Sequence, residues 1–323
     1  MDMNFLCKGQ PRLIKEWTNE FELLYSKHDK KRSPDELWVA TMGHCSIMGE
    51  AIRRTHYVDL LRAATHAFCW ICSYVSRCNS IDDPVFKFNA HLSEIVGLKY
   101  PQRCGHCEEA RCQCRHVEMD QKKDKAARYK SLYNLWKNQS FDKYDLNEWL
   151  TTFWGIYSGQ IHLLTLESIG FHFLEEVGEN AFAIRKLAQL KKILDQNISG
   201  IDIELLRKIQ SIKGVVEEYS NSMTELKKLM KGKKPEIDYA SKDPIQIKAR
   251  IVDAKMSQFI ELADSFSWFC AVLIKLHEIV QNAGMNTEEY NIEVCLQKEY
   301  GKKNSPLVCP TCSEKNCACL FFS

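Results

Sequence analysis

The sequence predicts an all-α protein made of two successive copies of one unit, each ending in a small metal-binding tail. Three observations carry this. Only eight prolines and fourteen glycines punctuate 323 residues. Apolar residues recur at three- and four-residue spacing, as in Leu150, Phe153, Trp154, Tyr157 and Ile161, and again in Ile260, Ala263, Phe266, Trp268 and Ala271; strict alternation over a strand length is scarce. One cysteine pattern, C-x2-C-x4-C-x-C, occurs twice, as Cys104, Cys107, Cys112 and Cys114 and as Cys309, Cys312, Cys317 and Cys319. Four thiolates so close together can close a tetrahedral shell around one zinc ion, and two identical boxes point to an internal duplication.

Composition sets the outer bounds. Apolar residues make up 45% and charged residues 27%, as in soluble globular proteins, and the formal net charge of +2 advertises neither DNA nor membrane binding. The longest apolar runs, around Phe68–Cys72 and Trp268–Ile274, are too short to span a bilayer, and residues 1–12 lack a signal-peptide pattern. Fifteen cysteines without a secretion signal suit a reducing, cytoplasmic setting in which clustered thiols hold metal. The remaining seven, including the C-x2-C of Cys69 and Cys72, sit in apolar helical text and read as small buried residues.

The halves align from their first helix. Glu16-Trp17, Phe21 and Tyr25-Ser26 match Glu148-Trp149, Phe153 and Tyr157-Ser158 at one constant spacing. His44 and Gly49-Glu50 then meet His172 and Gly178-Glu179. By the cysteine boxes the spacing has widened, so the second half carries an insertion at about residues 190–251, broken near 197–200 and 232–235. Rich in Lys, Glu, Leu and Ile, it reads as a charged helical hairpin or arm; its basic tract, 227–234, reads as a solvated face. The expected units are 1–126 and 127–323.

Chemistry concentrates in the second half. In Phe173-Leu174-Glu175-Glu176-Val177-Gly178-Glu179, Glu176 and Glu179 share a helix face at i, i+3, and Glu175 and Glu179 are at i, i+4. Glu261 and Asp264 repeat the i, i+3 pair. Both pairs are flanked by apolar residues, where an acid is costly unless paired or metal-bound. Two such helices face to face concentrate four carboxylates, and hard oxygen ligands select Mg²⁺ or Mn²⁺.

E-E-x-x-E followed by E-x-x-D resembles the MazG-like all-α nucleoside triphosphate pyrophosphohydrolases over residues 149–187 and 251–277. The likeness extends to the tail, since some members carry KYP before a cysteine box, as Lys99-Tyr100-Pro101 stands before Cys104. The resemblance implies two tandem bundles forming a pseudodimer. It also implies Mg²⁺-dependent hydrolysis of an NTP or dNTP to the monophosphate and pyrophosphate. It assigns Glu176, Glu179, Glu261 and Asp264 as Mg²⁺ ligands and Glu175 as an accessory carboxylate orienting the attacking water. Lys275, three helical turns beyond Asp264, is the candidate contact to the phosphate tail.

The first half departs from the motif. Glu50 stands opposite Glu179, but Ile47 and Ser46 stand opposite Glu176 and Glu175, and Asp59 and Arg62 opposite Glu261 and Asp264. It is expected to be a degenerate copy without the metal cluster, whose Arg53, Arg54, His56 and His66 read as structural or as phosphate or base contacts. The cysteine boxes read as two structural Zn²⁺ clips, one closing each copy, with Arg103, Arg111, Arg115, Lys302, Lys303 and Lys315 as basic rims and Leu320-Phe321-Phe322 packing back on the core. Zinc is favoured over an iron–sulfur cluster by the compact spacing. Expected partners are the nucleotide and, through the insertion or a homodimer of pseudodimers, another protein chain; neither nucleic acid nor membrane is expected. The contrasting reading is a non-catalytic, zinc-stabilised scaffold or nucleotide- or nucleic-acid-binding protein with vestigial acids.

Overall fold

The computed structural model describes residues 11–114, 124–195, 203–230, 236–239, 241, 243–301, 305–317 and 319. Arg115, Lys302, Lys303, Leu320–Phe322, both expected chain breaks of the insertion and residues 231–234 of its basic tract lie outside the described residues. Eleven α-helices and no β-strand occur among the described residues, and no helix there is long and apolar enough to cross a membrane.

In chain order the helices are α1 (Ile14–Asp29), α2 (Pro34–Arg53), α3 (Tyr57–Ser80), α4 (Leu92–Lys99), α5 (Lys125–Trp136), α6 (Leu146–Ile161), α7 (Leu166–Asp195), α8 (Ile203–Lys208), α9 (Ile212–Leu229), α10 (Pro244–Asn282) and α11 (Ile292–Tyr300). Local chemistry sets their starts. Ser33 precedes Pro34, whose missing N–H costs nothing in the first turn, and Glu36 reaches back to the Ser33 N–H at 2.8 Å. Asp145 and Glu148 exchange the same pair of bonds at 2.7 and 2.8 Å. Asp243 caps α10 ahead of Pro244.

Helices α2, α3, α7 and α10 form the central bundle, in which α2 packs on α3 and α7, and α7 on α10. Phe68 and Phe269 stack at 6.1 Å where α3 meets α10. Helix α10 runs 39 residues because nearly every face of it finds a partner: α7, α6, α4 and α9 all pack along it. The expected arm is not a free projection. Helix α9 buries Val215, Val216, Tyr219, Met223 and Leu226 against α10 and α5, the amphipathic solution for a charged helix with one apolar stripe. The expected boundary near residue 126 falls in the first turn of α5.

The outer helices repeat one set of contacts. Trp17 stacks on Phe21 at 5.4 Å in α1, and Trp149 on Phe153 at 5.5 Å in α6. Phe21 meets the edge of Tyr300 at 5.0 Å, and Phe153 meets Tyr100 at 5.2 Å. The indole N–H of Trp17 donates to Glu293 in α11, and that of Trp149 to Ser93 in α4. The Cys317 N–H donates to the Leu24 carbonyl at 2.9 Å, and the Cys112 N–H to the Ile156 carbonyl at 2.8 Å. The first cysteine tail is therefore seated on α6 and the second on α1. The tails, expected to close their own units, are each bonded to a helix of the other expected unit.

Candidate carboxylate and thiolate sites

Helices α7 and α10 run antiparallel, so their residues pair in opposite order. His172 stacks on Trp268 at 4.8 Å, and along the same faces Glu176 comes to Asp264 and Glu179 to Glu261. The i, i+3 and i, i+4 spacings are what allow three successive residues of each helix to meet. Oxygens of Glu176, Glu261 and Asp264 all lie within 4.8 Å of one another, a group able to hold a metal ion. Glu179 joins them through a hydrogen bond with Glu261. Glu175 is exposed and takes a bond from His172 Nδ1 at 3.1 Å.

Such crowding is electrostatically expensive. Burial, and next the Asp264 charge, push the Glu176 carboxyl up to about 8. The same two causes push Glu261 up to about 7. Glu176 Oε2 is buried with no hydrogen-bond donor. Asp264 is held differently: Lys99 forms a buried ion pair with its Oδ2, and the Tyr100 hydroxyl donates to its Oδ1 at 2.5 Å. Burial disfavours the Lys99 ammonium, but Asp264 overcomes this and raises its pKa, so the lysine stays charged. Burial, reinforced by Asp264, raises the Tyr100 pKa and keeps it a phenol donor. Both residues come from the first half, immediately before the first cysteine box.

The acids open onto two pockets. One, about 350 Å³, is lined by Glu175, Glu179, Phe182, Lys186 and Glu261. The other, about 310 Å³, lies between the acids and the first cysteine box, with Tyr100, His106, His172, Glu176, Asp264 and Trp268 in its wall. Lys275 is not brought to the acids. Its ammonium pairs with Glu278 at 3.0 Å, donates to the Ile161 carbonyl at 3.3 Å, and lines a separate pocket with His162 and Thr55. Lys186 is the lysine that shares a pocket with the carboxylates, and it and the Lys99-Tyr100 pair went unassigned as site residues from sequence. The KYP run before Cys104 was the available signal for the pair; nothing in the local pattern marked Lys186.

Both cysteine boxes fit a tetrahedral metal. Zinc–sulfur bonds of about 2.3 Å put tetrahedral sulfurs about 3.8 Å apart. Cys104 Sγ lies 3.5 Å from Cys112 and 3.6 Å from Cys114, and Cys309 lies 3.8 Å from Cys319. Within each box all four sulfurs lie within 4.8 Å of one another. The turns match bond for bond: Glu108 N–H donates to the Cys104 carbonyl at 2.9 Å, and Ser313 N–H to the Cys309 carbonyl at 2.8 Å. Glu108 and Ser313 both hold positive φ, at 62° and 60°, a conformation that costs a non-glycine residue about 1 kcal/mol or more and that a metal-closed loop sustains. The two boxes could hold zinc.

The corresponding region of the first half has other chemistry. Glu50 is half-buried and paired with Arg53 and Arg54, both at 2.7 Å. Arg62 Nε faces Glu299 at 3.6 Å, and the Tyr300 hydroxyl bonds His66 Nδ1 at 3.1 Å. His44 stacks on Trp70 at 5.4 Å, the counterpart of His172 on Trp268, and burial lowers it to about 4. Among the described residues this half holds no acid cluster able to take a metal. The Lys99–Asp264 pair thus recurs with its charges exchanged, as Glu299 with Arg62. Comparison with protein families, with curated proteins and with solved structures finds no match to this chain.

Proposed function

We propose that this chain is a Mg²⁺- or Mn²⁺-dependent nucleoside triphosphate pyrophosphohydrolase, built as a tandem MazG-like pseudodimer with one competent site. The observation that carries the reading is the convergence of Glu176, Glu261 and Asp264, with Glu179 beside them, on facing helices. Two carboxyls that burial and the Asp264 charge keep protonated near neutral pH form a site that a divalent cation would stabilise. Glu176, Glu179, Glu261 and Asp264 are the residues that would hold it. When bound, the cation supplies neutralisation of the triphosphate and of the pyrophosphate leaving group.

The chain's own residues do the rest. Glu175, aligned by His172, holds the attacking water from the exposed side of α7. Lys186, on the wall of the same pocket, takes up phosphate charge in the place Lys275 was expected to fill. The His172–Trp268 stack walls the adjoining pocket with flat, apolar surface suited to a nucleobase. A panel of NTPs and dNTPs incubated with the protein and Mg²⁺ or Mn²⁺, with products identified, tests this. Monophosphate and pyrophosphate in equal amounts are expected; release of neither from any nucleotide overturns the reading.

One observation favours the second reading, a zinc-stabilised scaffold with vestigial acids. The Lys99 ammonium already neutralises Asp264. It accounts for one acid and leaves Glu176 without a donor on its buried oxygen, which is why the hydrolase is preferred.

A further inference from the structure

We infer that the first cysteine box is a working part of the carboxylate site, with Lys99 and Tyr100 as positioning residues that set Asp264 according to the metal-held fold of that box. The inference rests on the hydrolase reading for its biological meaning but on geometry for its substance.

The link is short and buried. Lys99 and Tyr100 end α4, and Cys104 follows after one turn. Lys99 is 5% exposed and Tyr100 3% exposed, so neither finds alternative partners in solvent. A Cβ on Gly105, inside the box, would lie 2.8 Å from both the Cγ and the carbonyl oxygen of Lys99. The knuckle is thus packed directly on the lysine, and only glycine permits that approach. On the other side Tyr157 donates to the Cys104 sulfur at 3.6 Å, and its ring meets that of Tyr100 at 6.1 Å. The box is anchored on α6 through Cys112 N–H to Ile156 and through Gln160 to the Cys112 carbonyl at 3.2 Å. Cysteine box, knuckle, lysine–tyrosine pair and Asp264 therefore form one packed series. Loosening the thiolate shell frees residues 99–114 and, with them, both groups that fix Asp264.

The second box supplies the contrast. It packs on α1 through Leu24 and His28, and its leading residue, Tyr300, bonds His66 instead of an acid. Its loss has no comparable path to Asp264.

The test uses the full chain with zinc bound and reads Mn²⁺ binding by electron paramagnetic resonance, beside zinc content and turnover. Tyr100→Phe removes one hydroxyl. It should keep two zinc per chain and the wild-type fold yet bind Mn²⁺ at least about tenfold more weakly, the scale of one bond to a charged group. Tyr300→Phe should bind Mn²⁺ as the wild type does. Cys107→Ser should weaken Mn²⁺ binding, whereas Cys312→Ser, which also costs one zinc, should not. Wild-type Mn²⁺ affinity in both Tyr100→Phe and Cys107→Ser overturns the inference, as does equal weakening by the two cysteine variants, which marks a global effect. A wild-type protein that binds Mn²⁺ but hydrolyses no nucleotide overturns the proposed function alone; one that binds no Mn²⁺ overturns both.

Discussion

Leu13 and Asp145 face one another across an isolated antiparallel bridge, and each is the other's counterpart: the residue that starts α1 and the residue that starts α6. The ring contacts of Trp17 and Trp149, and of Tyr100 and Tyr300, repeat in the same way. The acid cluster is not repeated among the described residues.

Glu176→Gln should stabilise the protein in Mg²⁺-free buffer and, if the proposed hydrolase activity holds, abolish it. The folded carboxyl is raised to about 8 against an ordinary value of 4.5, so the native state holds a proton that the unfolded chain has lost. Stability is therefore full below about pH 4.5 and falls as pH rises towards 8. The variant's gain in melting temperature should be large at pH 8.5 and absent near pH 4.5. No chelator should be used, because it would strip the thiolates. An unchanged difference across pH would refute the electrostatic account.

Lys255→Met should also stabilise, for the opposite reason. This lysine is fully buried, with its ammonium against the Val85 carbonyl, Gln258 and the faces of Phe88 and Phe259. Burial lowers it to about 7 from 10.5. The native state forgoes a proton that the unfolded chain binds, so stability is lost as pH falls from 10.5 to 7, by up to roughly 5 kcal/mol before its hydrogen bonds are counted. Denaturant melts should show the variant gaining most at pH 7 and little above pH 10.5.

How much of this was legible in the sequence depends on distance along the chain. Helical periodicity, the capping residues and the cysteine boxes are local patterns, and Glu176, Glu261 and Asp264 meet because their spacing suits two antiparallel helices. Lys275 shows the limit. Eleven residues return it to the Asp264 face of α10, but at 1.5 Å per residue it is about 16 Å away along the axis, beside α6. Lys99 and Tyr100 could not be placed, because their role depends on a tail crossing to the opposite half. The docking of α9 on α5 is equally non-local.

Gly97→Ala should cost about 1–3 kcal/mol, the usual penalty of overpacking. The added methyl would sit 2.4 Å from the Phe141 ring, itself stacked on Trp149 at 5.6 Å, so the ring cannot swing aside freely. Because α4 carries Lys99, Mn²⁺ binding should weaken along with the melting temperature. A neutral substitution would show that α4 shifts without consequence.

Zinc content should be two per chain by native mass spectrometry, falling to one in Cys312→Ser. That variant should lose protection from hydrogen exchange near Leu24 and His28, where the second tail is seated, before the rest of α1. Protection lost first in α10 would contradict the crossed seating.

The exchanged charges of Lys99–Asp264 and Glu299–Arg62 bear on how such a molecule can change over time. When two identical chains associate, each substitution arrives twice, and a reversal that ruins one site ruins both. Joining the copies in a single polypeptide removes that tie. In a single polypeptide one side can carry an acid where the other carries an arginine, each with an opposite charge facing it. The crossed tails tie the two parts of the chain together, since Lys99 and Tyr100, which bond Asp264, come from the part opposite its own helix.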